Sequence, residues 1–330
     1  MSKALATMSG SGIVVRCNGK SIALDPTKGT DADVAFVSHA HMDHLHMPDS
    51  NENILASFET VKIAGARGYH MPNFKESMNG FELIDSGHIL GSRGLLIDGE
   101  IFYTGDICTR SRAFLHGARI PKCETLILES TYGKPEFRFP SIEEIVDSAN
   151  RIISDLYSKG IPVILMGYPL GKAQILTSMF KHWGPIYLHD SVYRMNQVYN
   201  ELEIDLGTAV PYLDAEEDNL LSKKPWLMVA PRTNSGSAFT MQMKERYGAV
   251  TIGFSGWALA NWYRYSSSLD YALPLSDHCD FEELISIVKT CDPSKVYTFH
   301  GYSTDLAAYL NKLGYDAEPM IKGNHKLSDF

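Results

Sequence analysis

The segment Ser38-His39-Ala40-His41-Met42-Asp43-His44 sets three imidazoles and one carboxylate within six residues. Alternation along such a run lets one loop present ligands to two neighbouring metal ions. Nitrogen and oxygen donors without thiolates suit Zn2+, with Mn2+ or iron as acceptable substitutes. A lone histidine is usually a satisfied core or surface residue, but H-x-H-x-D-H is too dense for that reading. His46 falls just outside the spacing and reads as a bystander. Three later residues share the setting. His88 lies in Ser86-Gly87-His88-Ile89-Leu90-Gly91-Ser92, where glycines let the backbone approach a site closely. Asp106 follows an apolar run as part of Y-T-G-D, a good place for a carboxylate shared by two ions, although T-G-D also makes an ordinary turn. His300 closes the apolar stretch 296–299.

These residues need rigid elements behind them. In the first third, short β-rich segments at 12–17, 21–24, 32–37, 82–84 and 94–97 alternate with Gly, Asp and Asn turns. The strand at 34–37 delivers the histidine-rich loop at its end. The middle changes character. Ser141 and Glu144 form a capping box, followed by apolar positions at helical spacing from Ile142 to Tyr157 and a stop at Gly160. A buried strand at 162–166, a glycine turn and a helix from Lys172 give a βαβ rhythm, which predicts a mainly parallel sheet with helices on its faces. The end returns to the first style, with a capping box at Asp280 and Glu283, a strand at 295–299 and a helix from Ser303 stopping at Gly314. Histidines at strand ends in both extremities predict that the ends form one domain and the middle is inserted into it.

Composition sets outer bounds. A chain of 330 residues with 44% hydrophobic content supports two domains, or one large domain with an insertion. It contains no run of eighteen apolar residues, and 1–10 lacks a charged segment leading into an apolar one, so a cytoplasmic protein without membrane contact is expected. Five scattered cysteines, none in C-x-x-C, point to free thiols. The net charge of −9 argues against a broad electrostatic grip on nucleic acid. Two bound divalent ions would return positive charge at the point of use.

The ordered set HAHMDH, GHILGS, YTGD and a late FHG resembles the metallo-β-lactamase superfamily. That resemblance implies an αββα sandwich with two Zn2+ ions, His39, His41 and His88 holding one and Asp43, His44 and His300 the other, with Asp106 bridging. The acidic segment Leu126–Gly133, the S-D-H-C-D run from Ser276 and the F-H-G at Phe299 are similar to the three later motifs of β-CASP nucleases. The segment between the first two matches the place of the β-CASP insertion. The implied domains are 1–134, an inserted β-CASP domain at 135–267, and 268–330. Closer still, G-K-A-Q at Gly171 and S-G-W at Ser255 resemble a short subfamily named for mRNA 3′-end processing or for ligase-associated DNA exonucleases.

The function this implies is a zinc-dependent nuclease acting on single-stranded RNA or DNA in the inter-domain cleft. An exonuclease or 3′-end-processing type is expected, with RNA slightly favoured by His300, and a homodimer is allowed. Asp43, Glu129 and His278 are the expected catalytic residues: His278 protonates the leaving oxygen and Glu129 holds its tautomer. Lys172, Arg232, Ser235, Ser237 and Arg264 are candidate phosphate or base contacts, each with an ordinary loop, helix-start or buried aromatic alternative. Arg110 and Arg112 are further candidates. Two other readings stand beside this one. A DNA repair exonuclease shares every motif, and a thioesterase or lactonase shares the metal shells but needs neither Glu129 with His278 nor an inserted domain. A silent binding subunit is disfavoured because every ligand position is filled.

Overall fold

The computed structural model describes residues 5–9, 12–49, 51–232, 237–266 and 269–320. It divides into two compact units. The first comprises Met1–Ser111, Leu115–Arg138 and His278–Phe330, and the second Arg112–Phe114 and Phe139–Asp277.

The first unit begins with β1 (Leu5–Ser9), β2 (Gly12–Cys17) and β3 (Lys20–Leu24), paired antiparallel in turn. Then β4 (Val34–Phe36), β5 (Ile54–Leu55), α1 (Phe58–Ala66) and β6 (Phe74–Lys75) follow, with the strands added parallel in chain order. The second sheet takes β7 (Phe81–Asp85), β8 (Arg93–Ile97), β9 (Ile101–Tyr103) and β10 (Thr125–Glu129).

The second unit holds α2 (Ile142–Ser158), β11 (Val163–Gly167), α3 (Lys172–Phe180), β12 (Ile186–Leu188), α4 (Asp190–Glu201) and β13 (Val210–Pro211). It continues through α5 (Tyr212–Glu217), β14 (Leu227–Pro231), α6 (Ala238–Tyr247), β15 (Val250–Phe254), α7 (Asn261–Ser266) and β16 (Tyr271–Leu273). Its six strands run in the order β13-β12-β14-β11-β15-β16, every pairing parallel. Because β16 is the edge of that sheet, the unit runs to Asp277, past the boundary at 267 expected from the sequence. The chain then returns to the first unit with α8 (Phe281–Cys291), β17 (Lys295–Phe299), α9 (Ser303–Lys312) and β18 (Ala317–Pro319), where β17 pairs parallel with β10.

Strand periodicity explains how the first unit closes. Ile127 and Leu126/Leu128 point to opposite faces of β10, as successive strand residues must. Ile127 joins Ile101, Tyr103 and Phe299 against Val15, Ile22 and Phe36 of the first sheet, so the two sheets share one core. Leu126 and Leu128 pack with Leu284, Val288 and Leu310 of α8 and α9 on the other face. Each fully buried aliphatic side chain contributes about 1.5–3 kcal/mol relative to exposure. Both capping boxes read from the sequence are present, at Ser141/Glu144 and Asp280/Glu283. The fold is the metallo-β-lactamase sandwich with an α/β domain inserted in the sequence. Among the described residues no helix is long and apolar enough to cross a membrane.

Candidate metal centre

Strand ends deliver the polar groups. β4 runs into the loop carrying His39 to His44, β9 into Asp106, β10 into Glu129 and β17 into His300. Close approach of these loops depends on glycine at two places. A Cβ on Gly87 (φ +68°) would fall 2.3 Å from the Cys108 carbonyl oxygen, and one on Gly105 (φ +53°) 2.7 Å from Ser38 Cβ. His300 itself holds φ +60°, a conformation that costs energy outside glycine and persists only where surroundings impose it.

His39, His41, His88 and Asp106 place their ligand atoms within 4.8 Å of one another, and His44, Asp106 and His300 do the same. Asp106 is common to both groups. His41 Nδ1 lies 3.0 Å from His39 Nε2 and 3.1 Å from His88 Nε2. Asp106 Oδ2 lies 3.5 Å from His39 Nε2, 3.5 Å from His88 Nε2 and 3.6 Å from His44 Nε2. Asp43 stands outside both groups, 79% exposed and 3.8 Å from His44 Nε2.

Asp25 is the residue that sequence reading missed. It sits buried just past β3 and accepts from Ser38 N (2.6 Å), Ser38 Oγ (2.6 Å), His44 Nδ1 (2.7 Å) and Tyr103 Oη (2.8 Å). Because Ser38 Oγ gives its proton to Asp25, it accepts from His39 Nδ1 at 2.9 Å. In their neutral forms His39 and His44 would thereby keep the proton on Nδ1 and turn a lone pair on Nε2 to the centre.

That lone-pair arrangement tests the fit of a metal. His44 Nε2 is buried and makes no hydrogen bond. Two imidazole lone pairs aimed at one buried carboxylate repel unless a cation lies among them, so these donors suit a divalent ion bound by nitrogen and oxygen. The electrostatics agree. Burial, then His44 and His88, push the His39 imidazolium well below its ordinary range, leaving a neutral donor. Burial opposes charge on His44, but Asp106 and Asp25 outweigh it and push it up to about 10, so the pocket attracts positive charge, and a divalent ion would take the place of the Nε2 proton. Burial raises Asp106, with His44 opposing.

A second constellation adjoins the first. Asp106, Glu129 and His278 also bring their ligand atoms within 4.8 Å. Glu129 Oε1 meets His278 Nδ1 at 2.9 Å and accepts from Ile107 N at 2.9 Å, while Oε2 accepts from Thr131 N and Oγ1. Burial raises the Glu129 carboxyl, but His278 and these donors outweigh it, so the net shift is downward and it stays a carboxylate. The His278 ring lies 4.5 Å from that of His88. Arg110 sits beside it, its Nε 3.2 Å from Glu283 and its Nη2 donating to the His278 carbonyl at 3.5 Å.

The candidate substrate contacts have these surroundings. Lys172 is buried, its Nζ 2.9 Å from Asp277 Oδ1 and donating to the Leu275 carbonyl at 2.8 Å. Ser237 caps α6 through Thr240. Arg232 stacks on Tyr263 at 4.6 Å. Ser235 lies outside the described residues, as does the side chain of Arg264 in α7. Arg112 is buried rather than solvated. His46, read as a bystander, is buried against Glu52 at 2.8 Å.

No family model matches the chain. It is 31% identical over 299 residues to a probable DNA ligase of Opitutus terrae, covering 86% of this chain and 28% of that protein. It is 26% identical over 224 residues to an RNase J-like protein of Methanocaldococcus jannaschii, covering 60% of this chain and 52% of that protein. The chain belongs to the β-CASP family of the metallo-β-lactamase superfamily. A crystal structure of a protein of unknown function from Enterococcus faecalis V583 shares the fold, with TM-score 0.64, 16% identity and 98% and 99% of the two chains covered. The β-CASP chain spans about a quarter of the ligase and about half of the RNase J-like protein.

Proposed function

We propose that the protein is a metal-dependent nuclease that hydrolyses phosphodiester bonds in single-stranded nucleic acid. The observation that carries this is the pair of buried Glu129 and half-buried His278 beside Asp106, which a hydrolase of uncharged small esters does not need. His39, His41, His88 and Asp106 would hold one divalent ion, and His44, Asp106, His300 and Asp43 a second, with Zn2+ the ion that best suits the donors. Such a pair supplies an activated water at neutral pH and neutralises phosphoryl charge.

The chain's own residues do the rest. Asp25 and Ser38 fix which ring nitrogen of His39 and His44 faces the centre. Glu129 keeps the His278 proton on Nδ1 and stabilises positive charge on the ring, which lets Nε2 donate to the leaving sugar oxygen. Domain assignment follows the same reading, with the second unit as the β-CASP insertion.

RNA is the favoured substrate on the histidine at position 300. DNA is the second reading, favoured by the ligase relative that matches 86% of the chain. Metal-loaded protein incubated with end-labelled RNA and DNA of one sequence, single- and double-stranded, separates them: the ladder reports substrate and polarity, and inertness on all four rejects a nuclease. Less than about one zinc per chain after gentle purification would point to a silent binding subunit.

A further inference from the structure

Four of the five cysteines are buried, and all five are free thiols. Two of them meet, although residues 139–277 of the second unit lie between them in sequence. Cys123 stands just before β10, in the part of the first unit that precedes the insertion. Cys291 ends α8, in the part that follows it. Cys123 N donates to the Cys291 carbonyl at 3.3 Å, and the two thiols hydrogen-bond to each other. Neighbouring contacts hold this register. Lys122 Nζ is 3.6 Å from Asp292 Oδ2, and the Glu124 carbonyl accepts from Ser294 N at 2.9 Å and Lys295 N at 3.1 Å. Chains hydrogen-bonded in this way keep facing α-carbons roughly 5.5 Å apart, within the range of about 4.4–6.8 Å that a disulfide spans.

The two thiols are not equivalent. Cys123 is 7% exposed and Cys291 1%, so a small oxidant reaches Cys123 first. The hydrogen bond from the Cys291 thiol, opposed by burial, holds the Cys123 thiol below its ordinary range and raises its thiolate fraction. The same contact, then burial, pushes Cys291 up. A thiol with thiolate character beside a second thiol is the arrangement that peroxide converts into a disulfide. The other two buried thiols are engaged elsewhere, Cys108 Sγ on the Arg110 carbonyl at 3.9 Å and Cys279 Sγ on Thr109 Oγ1 at 3.8 Å.

We propose that Cys123 and Cys291 are a peroxide-sensitive pair, Cys123 reacting first and Cys291 closing a disulfide that staples the first unit across the point where the second is inserted in the sequence. The Cys123 sulfur attacks a peroxide oxygen: an S–O bond forms, the O–O bond breaks, and the departing oxygen leaves as water with the thiol proton. The Cys291 sulfur then displaces the oxygen on Cys123, which departs as a second water with the Cys291 proton. The two sulfurs give up two electrons and the peroxide takes them. Because the bond joins the segments on either side of the insertion, it closes a long loop in the unfolded chain and so favours the folded one.

Mass spectrometry tests this on metal-loaded protein exposed to dilute hydrogen peroxide, then alkylated and digested without reductant. The peptides carrying Cys123 and Cys291 should appear joined and lighter by two hydrogens, and dithiothreitol should separate them. The oxidised protein should unfold at a urea midpoint about 1 M or more above that of the reduced protein. In Cys291→Ala, which cannot close the bond, dimedone should trap sulfenic acid on Cys123; in Cys123→Ala, Cys291 should stay a thiol. Wild-type protein with both cysteines still free after peroxide, or with Cys108 joined to Cys279 in their place, overturns the pairing. Dimedone on Cys291 in Cys123→Ala, with none on Cys123 in Cys291→Ala, overturns the order of reaction. A cross-link that leaves the urea midpoint unmoved overturns the stapling role.

Discussion

In the second unit, Lys172 meets Asp277 and the Leu275 carbonyl, while Gln174 bonds Gly171 N, Pro169 O and Asn196 Oδ1. Those buried polar groups satisfy one another. In the first unit, the ligand atoms of His39, His41, His88 and Asp106 converge within 4.8 Å of one another, and the buried His44 Nε2 makes no hydrogen bond. Burying polar groups costs free energy in both cases, and in the first unit His44 Nε2 is a buried atom without that compensation. A self-satisfied buried network is scaffold; a buried network short of positive charge awaits something from outside.

The sharpest break in that contrast is at His278. Replacing it with alanine should slow single-turnover cleavage about 10²–10⁴-fold while metal content, read by atomic absorption, is unchanged. Loss of metal in that variant would make His278 a ligand and not an acid. Next, Lys172→Met strands Asp277 without its cation, and urea melts should show about 3–5 kcal/mol of lost stability. Adding Asp277→Leu should restore most of it; a double mutant no better than the single would mean the pair is not the unit of stability. Third, Asp25→Asn keeps shape but removes the anion that orients Ser38 and His44. Zinc affinity, measured by chelator competition, should fall about 10–100-fold. The smallest effect concerns Asp270. Burial raises its carboxyl, but bonds from Lys244 and Thr251 outweigh that and leave it below its ordinary value of 3.8. A depressed folded-state value means stability present above that ordinary value and lost as pH falls through the folded one. Asp270→Asn should flatten the melting temperature between pH 5 and about pH 3, and an unchanged slope would show the carboxylate carries no acid sensitivity.

Much of the contrast could be read from local pattern. The strands at Gly12–Cys17 and Lys295–Phe299 have the bounds expected from β-rich composition, and both capping boxes occur where Ser-x-x-Glu and Asp-x-x-Glu stand. The candidate metal cluster was legible because its members crowd one loop and the ends of apolar strands. What failed was long-range pairing. Asp25 in A-L-D-P reads as turn chemistry, and nothing local reveals Tyr103, 78 residues away, as its partner. Lys172 read as a phosphate contact or a solvated helix-start lysine, because its partner Asp277 is distant in sequence. The same blindness hid Glu52 behind His46 and left β16 outside the inserted sheet, since an edge strand is assigned by the neighbour it bonds.

The hydrogen bond from Tyr103 to Asp25 spans more than one loop. Tyr103 belongs to β9 of one sheet, and Asp25 continues β3 of the other. Whatever presses or parts the two sheets therefore tugs on the carboxylate that aims His44. The ion becomes a gauge of the sandwich: its grip should loosen with any core substitution that shifts the sheets, even one far from every ligand. A divalent ion held by His44 would act the other way, stabilising the folded sandwich over forms that cannot bind it.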